Sequence, residues 1–261
     1  MPNTEAVVKQ NTAMALAAAD MEADSFAASG FEEADNESYA VPFLTILQSL
    51  SPQLDKNKGE YVKGSEVGNI FNTATGELFE ALTVIPCHFR RQFLEWLPDR
   101  GGFAGAHDVV EGQSMLATTK RNDKGQDVLP NGNVLVDTRE HFVLVVTDSG
   151  VTERAMISMS STQMKKSKRW MTLMQNIKFP RKDDPTQMYT PPMYSHSYKL
   201  GAVYESNDKG SWYGWTVEKV GLLENTALYT EAKAFRDSIV SGAVEVKHQD
   251  MAGKEAEEMD V

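Results

Sequence analysis

Residues 160–182, SSTQMKKSKRWMTLMQNIKFPRK, hold the side chains of this sequence best suited to chemistry: seven cations set around a tryptophan. Lys165, Lys166, Lys168 and Arg169 crowd the front of the segment, and Lys178, Arg181 and Lys182 follow its end. Cations beside rings are what a polyanionic strand requires, because they neutralise phosphates while ring faces stack on bases. Turned at about 100° per residue, Met164, Trp170, Met171, Leu173, Met174 and Ile177 share one half of a helix, and the four leading cations mostly take the other. Ser160 with Gln163 reads as a capping-box start and Pro180 as a stop. The plainer alternative is a helix that shows its Lys and Arg to water. Against it, the cations sit in the first turns, where the helix dipole disfavours positive charge, and few acids stand four residues away.

Further groups could serve the same chemistry. Arg90 and Arg91 lie in an aromatic run, and Phe89, Phe93, Trp96, Trp170, Trp212, Tyr213 and Trp215, with Tyr204, are candidate stacking rings. Each ring could equally be core, since burying a large aromatic is its commonest use. Catalytic signatures are missing. Neither GxxxxGK[ST] nor GxGxxG occurs, and a single cysteine, Cys87, cannot supply a cysteine-rich zinc site or an internal disulfide. His107-Asp108 and Asp137 with His141 could meet at a metal, but they are scattered. The hydroxyls of residues 158–161 lack a positioned histidine and suit helix capping or phosphate contact. No enzyme activity, no cofactor and no metal are therefore expected.

The charge balance has to be divided before it is used. The formal net charge is -11, yet residues 1–38 carry -7 and residues 245–261 carry -4, leaving residues 39–244 neutral. The acidic excess lies wholly in the two ends, so it does not oppose a nucleic-acid partner for the body. The reading is a disordered acidic arm over 1–38, one domain over 39–244 and an acidic tail over 245–261. No apolar run reaches membrane-spanning length, no secretion signal opens the chain, and a buried, inert Cys87 fits a reducing compartment; no membrane partner is expected.

The elements that must position these groups follow from periodicity. After Pro42, the apolar residues Phe43, Leu44, Ile46, Leu47 and Leu50 read as a short amphipathic helix. Residues 70–86 read as a hairpin turning at Thr75-Gly76, and residues 88–97 as a strand stopped by Pro98. Gly101, Gly102 and Gly105 mark a loop, and residues 120–132 a long exposed one. Residues 134–137, 140–147 and 151–158 are extended. Residues 198–204 and 211–220 form a β pair, with Trp212, Gly214 and Thr216 on one face of the second strand and Tyr213, Trp215 and Val217 on the other. Leu228, Ala232, Phe235 and Ile239 mark a last helix capped from Asn225 or Thr226. Many strands with few helices and no rhythmic crossovers predict a mainly β protein with inserted helices (α+β), closed as an antiparallel barrel.

Three stretches carry a resemblance: GKEAEEMDV at 253–261, VPFLTILQSLSP at 41–52 and IFNTATGE at 70–77. With the barrel-like strand content and the inserted helix, the chain over roughly residues 40–261 resembles bacteriophage single-stranded DNA-binding proteins that use an OB-like barrel and finish in an acidic tail. The last two stretches are similar to phage replication-region proteins, whereas the acidic arm at the start departs from the pattern. The resemblance implies an OB-like barrel that coats and protects single-stranded DNA in phage replication and recombination, without catalysis, in the cytoplasm of the bacterial host. It also implies that Glu255, Glu257, Glu258, Met259, Asp260 and Val261 recruit replication or recombination proteins; a homo-oligomer is left open. Two alternatives stand beside it. A phage nuclease or recombination accessory enzyme would need convergent carboxylates, and an acidic protein-interaction module or DNA mimic would need its acids on a rigid surface.

Overall fold

A computed structural model of the chain describes residues 41–147, 150–208 and 210–244, together with Val246 and His248. In chain order the elements are β1 (Leu44–Ile46), β2 (Ile70–Asn72), β3 (Leu78–Phe79), β4 (Ala81–Trp96), β5 (Phe103–His107), α1 (Val109–Leu116), β6 (Lys120–Arg121) and β7 (Asp127–Val128). There follow β8 (Val134–Val146), β9 (Thr152–Met159), α2 (Met164–Gln175), β10 (Phe179–Pro180), β11 (Met188–Tyr189), β12 (His196–Asn207), β13 (Gly210–Leu222) and α3 (Thr226–Val240). The protein is mainly β, as its strand content predicts, with the described strands paired antiparallel and a lone parallel bridge between Phe43 and Met156.

The fold hangs on β4 and β8, which pair from Thr83↔Val146 to Trp96↔Val134. Both are long enough to change partners on their outer edges. β4 takes β12 along Ala81–Val84 and β5 along Phe93–Trp96, while β8 takes β9 along Arg139–Val146 and β7 at its start. Pro86 does not end β4: it stays opposite Val143, and the register shifts just after it, with Cys87 as the extra residue before His88 pairs with Phe142. The resulting eight-stranded sheet curls into a half-barrel.

β1 and two glutamines bridge its open side. The Met156 N–H donates to Pro42 O at 2.8 Å, tying the start of β1 to β9. On β13, which pairs with β12 alone, Gln48 donates through Nε2 to Tyr213 O and accepts from the Tyr213 N–H, both at 2.9 Å. Gln163 Oε1 accepts the Trp215 N–H at 3.0 Å. Side-chain amides thus satisfy the backbone of an edge strand that would otherwise be open there.

Alternation along β4 and β8 builds a core on each face of the sheet. On one face Ile85, Leu94, Phe142 and Leu144 pack with Ala232, Phe235 and Ile239 of α3. On the other, Val84, Val143 and Val145 pack with Trp170 and Met174 of α2 and with Tyr198, Leu200 and Trp215. Each such fully buried side chain contributes about 1.5–3 kcal/mol relative to exposure. A third, small core joins Phe93, Leu129 and Leu135 beneath α1. Cys87 is buried as expected, its thiol donating to Ile85 O at 3.3 Å, and burial pushes its pKa up to about 12.

Several expectations are corrected. The helix expected over residues 43–50 is the strand β1, because Phe43 enters one core and Leu44 and Ile46 the other; burial on both faces mimics helical spacing. The glycine loop contains β5, followed by α1, whose cap Asp108 accepts from Val110 N at 2.7 Å and Glu111 N at 2.9 Å. The long loop at 120–132 folds back as the β6–β7 hairpin. The turn at Gly76 stands as read, with φ 77°. The packed body also runs past residue 244: Val246 joins the α3-side core and His248 is buried.

Candidate nucleic-acid interface

α2 begins differently from the capping box its sequence suggests. A single 3-10 turn over Ser161–Gln163 precedes it, entered through Ser161 at φ 43°, and the Ser160 hydroxyl makes no capping bond. Gln163 is taken by β13 instead. The helix is then pinned from below. Ser167, Trp170 and Met174 are buried, the Ser167 hydroxyl lies 2.8 Å from His141 Nε2, and the His141 ring stacks on Trp170 at 4.6 Å. Burial, reinforced by Arg139, pushes the His141 pKa down to about 3, so the imidazole is neutral.

The opposite side of α2 is an exposed stripe of Lys165, Lys168, Arg169 and Thr172 at helical spacing. α2 contains no acidic residue, and none of the three cations meets a carboxylate among the described residues. Beyond the helix, the exposed Lys178, Arg181 and Lys182 belong to the segment that forms the β10–β11 hairpin. Lys178 bonds the Thr190 hydroxyl there and Arg181 lies 6.0 Å from the Tyr189 ring.

Lys166 has a different role. It pairs with Glu205 of β12, and Glu205 also accepts the Trp212 indole N–H at 3.1 Å. Tyr204 and Tyr213 face one another across the same hairpin, edge to face at 5.6 Å, and Tyr204 is 59% exposed. One carboxylate therefore ties the basic helix to a hairpin end that carries three accessible or half-accessible rings.

The remaining candidates separate. Arg90 donates to the buried Glu140 at 2.6 Å and lies over Phe142, and Arg91 forks onto Asp137 at 2.9 and 2.8 Å. Both arginines are paired with carboxylates of the neighbouring strand and stay partly exposed. Phe93, Trp96, Trp170 and Trp215 lie in the core with no face to offer a base. Phe89 is half-buried against His141 at 5.2 Å. The scattered metal candidates are engaged as well: His107 with Glu95 at 2.9 Å, Asp108 as a cap, Asp137 with Arg91. No cluster of three or more metal-ligating side chains occurs among the described residues. Glu255, Glu257, Glu258, Met259, Asp260 and Val261, like the arm at 1–38, lie outside the described residues.

Two features escaped the sequence reading. Glu140, Gln92 and His248 form a buried polar group, with Gln92 Nε2 at 2.7 Å from Glu140 and His248 Nε2 at 3.2 Å from it. Burial raises the Glu140 carboxyl and lowers His248 to about 4. The second is a cleft of about 340 Å³ between the β6–β7 hairpin and the start of α2, with Arg121 and Lys124 on one side and Ser161 and Thr162 on the other. Neither had a local signal, because each joins segments far apart in the chain.

Among the described residues no helix is long and apolar enough to cross a membrane. Over residues 9–245 the sequence matches the family described as Pam3 phage gp34-like protein. No curated protein and no solved structure matches it.

Proposed function

The chain belongs to the Pam3 phage gp34-like family, and from that premise we propose that it binds and protects single-stranded DNA during phage replication and recombination, without catalysis. The observation that carries this reading is the stripe of Lys165, Lys168 and Arg169 on a helix with no acid of its own, joined through Lys166 and Glu205 to the rings of the β12–β13 hairpin. Cations at the front of a helix oppose its dipole and find no local compensation, so a bound polyanion would relieve a cost built into the fold. Tyr204, Trp212 and Tyr213 supply the ring faces that single-stranded bases stack on. The buried carboxylate Glu140 and the half-buried Asp137, which a nuclease reading would call on, are each held by arginine.

Fluorescence anisotropy with single-stranded and duplex oligonucleotides across a salt series tests the proposal. The single strand should bind more tightly, and its affinity should fall as salt rises. The variant K165A/K168A/R169A should weaken binding irrespective of sequence and flatten the slope of log affinity against log salt by about 2. Lys166 is left in place because it holds the hairpin. Equal affinity for duplex, or an unchanged slope in the folded variant, overturns the proposal.

A further inference from the structure

Glu205 is a carboxylate set beside cations that would meet phosphate, a place where negative charge opposes binding. Both of its oxygens are nevertheless in use. Oε1 pairs with Lys166, and Oε2 accepts the Trp212 indole N–H at 3.1 Å. Gly214 makes room for the arrangement, since a Cβ there would run into Glu205 Oε2 and press on the Gln163 amide. An indole has a single donor, and a bond to it lies near the ring plane. Glu205 therefore fixes how the Trp212 ring turns without covering either of its faces.

The three rings of the hairpin end are not equivalent. In the β12–β13 register Glu205 stands opposite Trp212, and Tyr204 opposite Tyr213. Directly opposed residues share a face and consecutive ones alternate, so Trp212 and Glu205 lie on one face and the two tyrosines on the other. The start of α2 meets the Trp212 face, through the Gln163 amide beside Gly214 and through Lys166 on Glu205. Arg169, three residues after Lys166, is its neighbour on the helix surface and belongs to the exposed stripe. Arg169, Lys166, Glu205 and Trp212 thus follow one another from helix to hairpin. Tyr204 is the more exposed ring, but it packs on the other face with Tyr213, which lies close against Gly68.

We propose, resting on the single-strand reading above, that Glu205 is a positioning residue that holds Trp212 as the base platform next to the phosphates on the stripe. Taking this negative charge off the face should then weaken strand binding, where simple repulsion of phosphate would strengthen it.

The full chain and an oligothymidylate test this, with anisotropy for affinity and tryptophan emission for the ring. Trp96, Trp170 and Trp215 are buried, so quenching by the strand reports Trp212. W212A should weaken binding by at least about fivefold, the low end for one stacked base, and Y204A by less than about twofold. E205A should weaken it by at least about threefold and shrink the quench at saturation, because the ring must then be ordered on binding. E205Q keeps an acceptor for the indole and should bind within about twofold of wild type or more tightly, with the full quench. Both Glu205 variants lose the ion pair with Lys166, so the difference between them isolates the indole bond. Circular dichroism confirms that each variant is folded. E205A binding as tightly as wild type or more tightly, E205Q binding as weakly as E205A, or Y204A costing as much as W212A overturns the proposal. Wild type against K165A/K168A/R169A judges the underlying reading. Binding lost in that triple variant but unchanged in E205A and W212A removes the role of Glu205 alone, whereas a wild type that binds no single strand removes both.

Discussion

His141 and His248 show how single side chains couple this fold to acidity. Both are buried, and their pKa values fall from 6.5 to about 3 and about 4. Below pH 6.5 the unfolded chain takes up a proton on each, and the folded chain does not. Their contribution to stability is therefore present above pH 6.5 and lost as pH falls toward 4, by about 1.4 kcal/mol per pH unit for each proton. Glu140 runs the other way. Burial raises its pKa, so its contribution is present in acid and lost as pH rises through the folded value. Two histidines outweigh one carboxyl, and calorimetry should show the melting temperature falling from pH 7 to pH 5. H141Q, which can keep the bond to Ser167, should remove roughly half of that fall at a cost of about 1–3 kcal/mol at pH 7 from the lost stacking on Trp170. An unchanged pH profile would mean that His141 is not the buried neutral group described. Little of this was legible beforehand. The types of Arg90, Arg91, Phe93 and Trp96 marked them as able to meet DNA, but Glu140 and Asp137, which claim the arginines, lie 46–50 residues away in sequence.

At the scale of elements, local pattern carried further. The Gly76 turn, the returning strand β9, the β12–β13 pair and the Asn225-capped α3 were all readable from spacing and turn chemistry. β1 was not, because a strand buried on both faces has no period of its own. α1 was hidden by its composition, since Val109, Val110 and Gly112 are poor helix formers, and Met115 and Leu116 hold the helix on the core beneath. Gly112 is there for space. A Cβ at that position would stand 2.2 Å from Phe93 Cδ2 and 2.3 Å from Cγ. G112A should therefore destabilise the protein by about 1–3 kcal/mol in urea melts, although alanine is the better helix former. A stabilised variant would show that α1 can lift away freely. The edge of β13 gives a second element-scale expectation. Q48L/Q163L leaves the Tyr213 and Trp215 N–H groups without their partners, at about 1–3 kcal/mol each, and opens an edge for pairing. Lower urea midpoints and self-association in size-exclusion chromatography are expected; a monomer as stable as wild type would count against the clasp.

For the whole molecule, the acidic ends set the remaining question. His248 is buried between Phe43 and Phe103, at 6.2 and 5.3 Å. The 13 residues that follow could extend at most about 45 Å. If the body binds single strands as proposed, tethered acids would compete with phosphates for the same cations at a high effective concentration. Deleting residues 249–261 should raise affinity for single strands, most at low salt, without changing the melting temperature. Deleting from residue 245 should also lower the melting temperature, because Val246 and His248 go with it. Anisotropy and calorimetry on both truncations decide this, and unchanged affinity in the shorter deletion removes the tail as a competitor. One consequence of the core is practical. Cys87 is the chain's only thiol, buried and scarcely ionised at neutral pH, so maleimide dyes will not reach it in the native state. A cysteine placed at Lys165 or Tyr204 can then carry a fluorophore at one defined site in an otherwise wild-type background, while slow labelling of Cys87 itself becomes a clock for global opening.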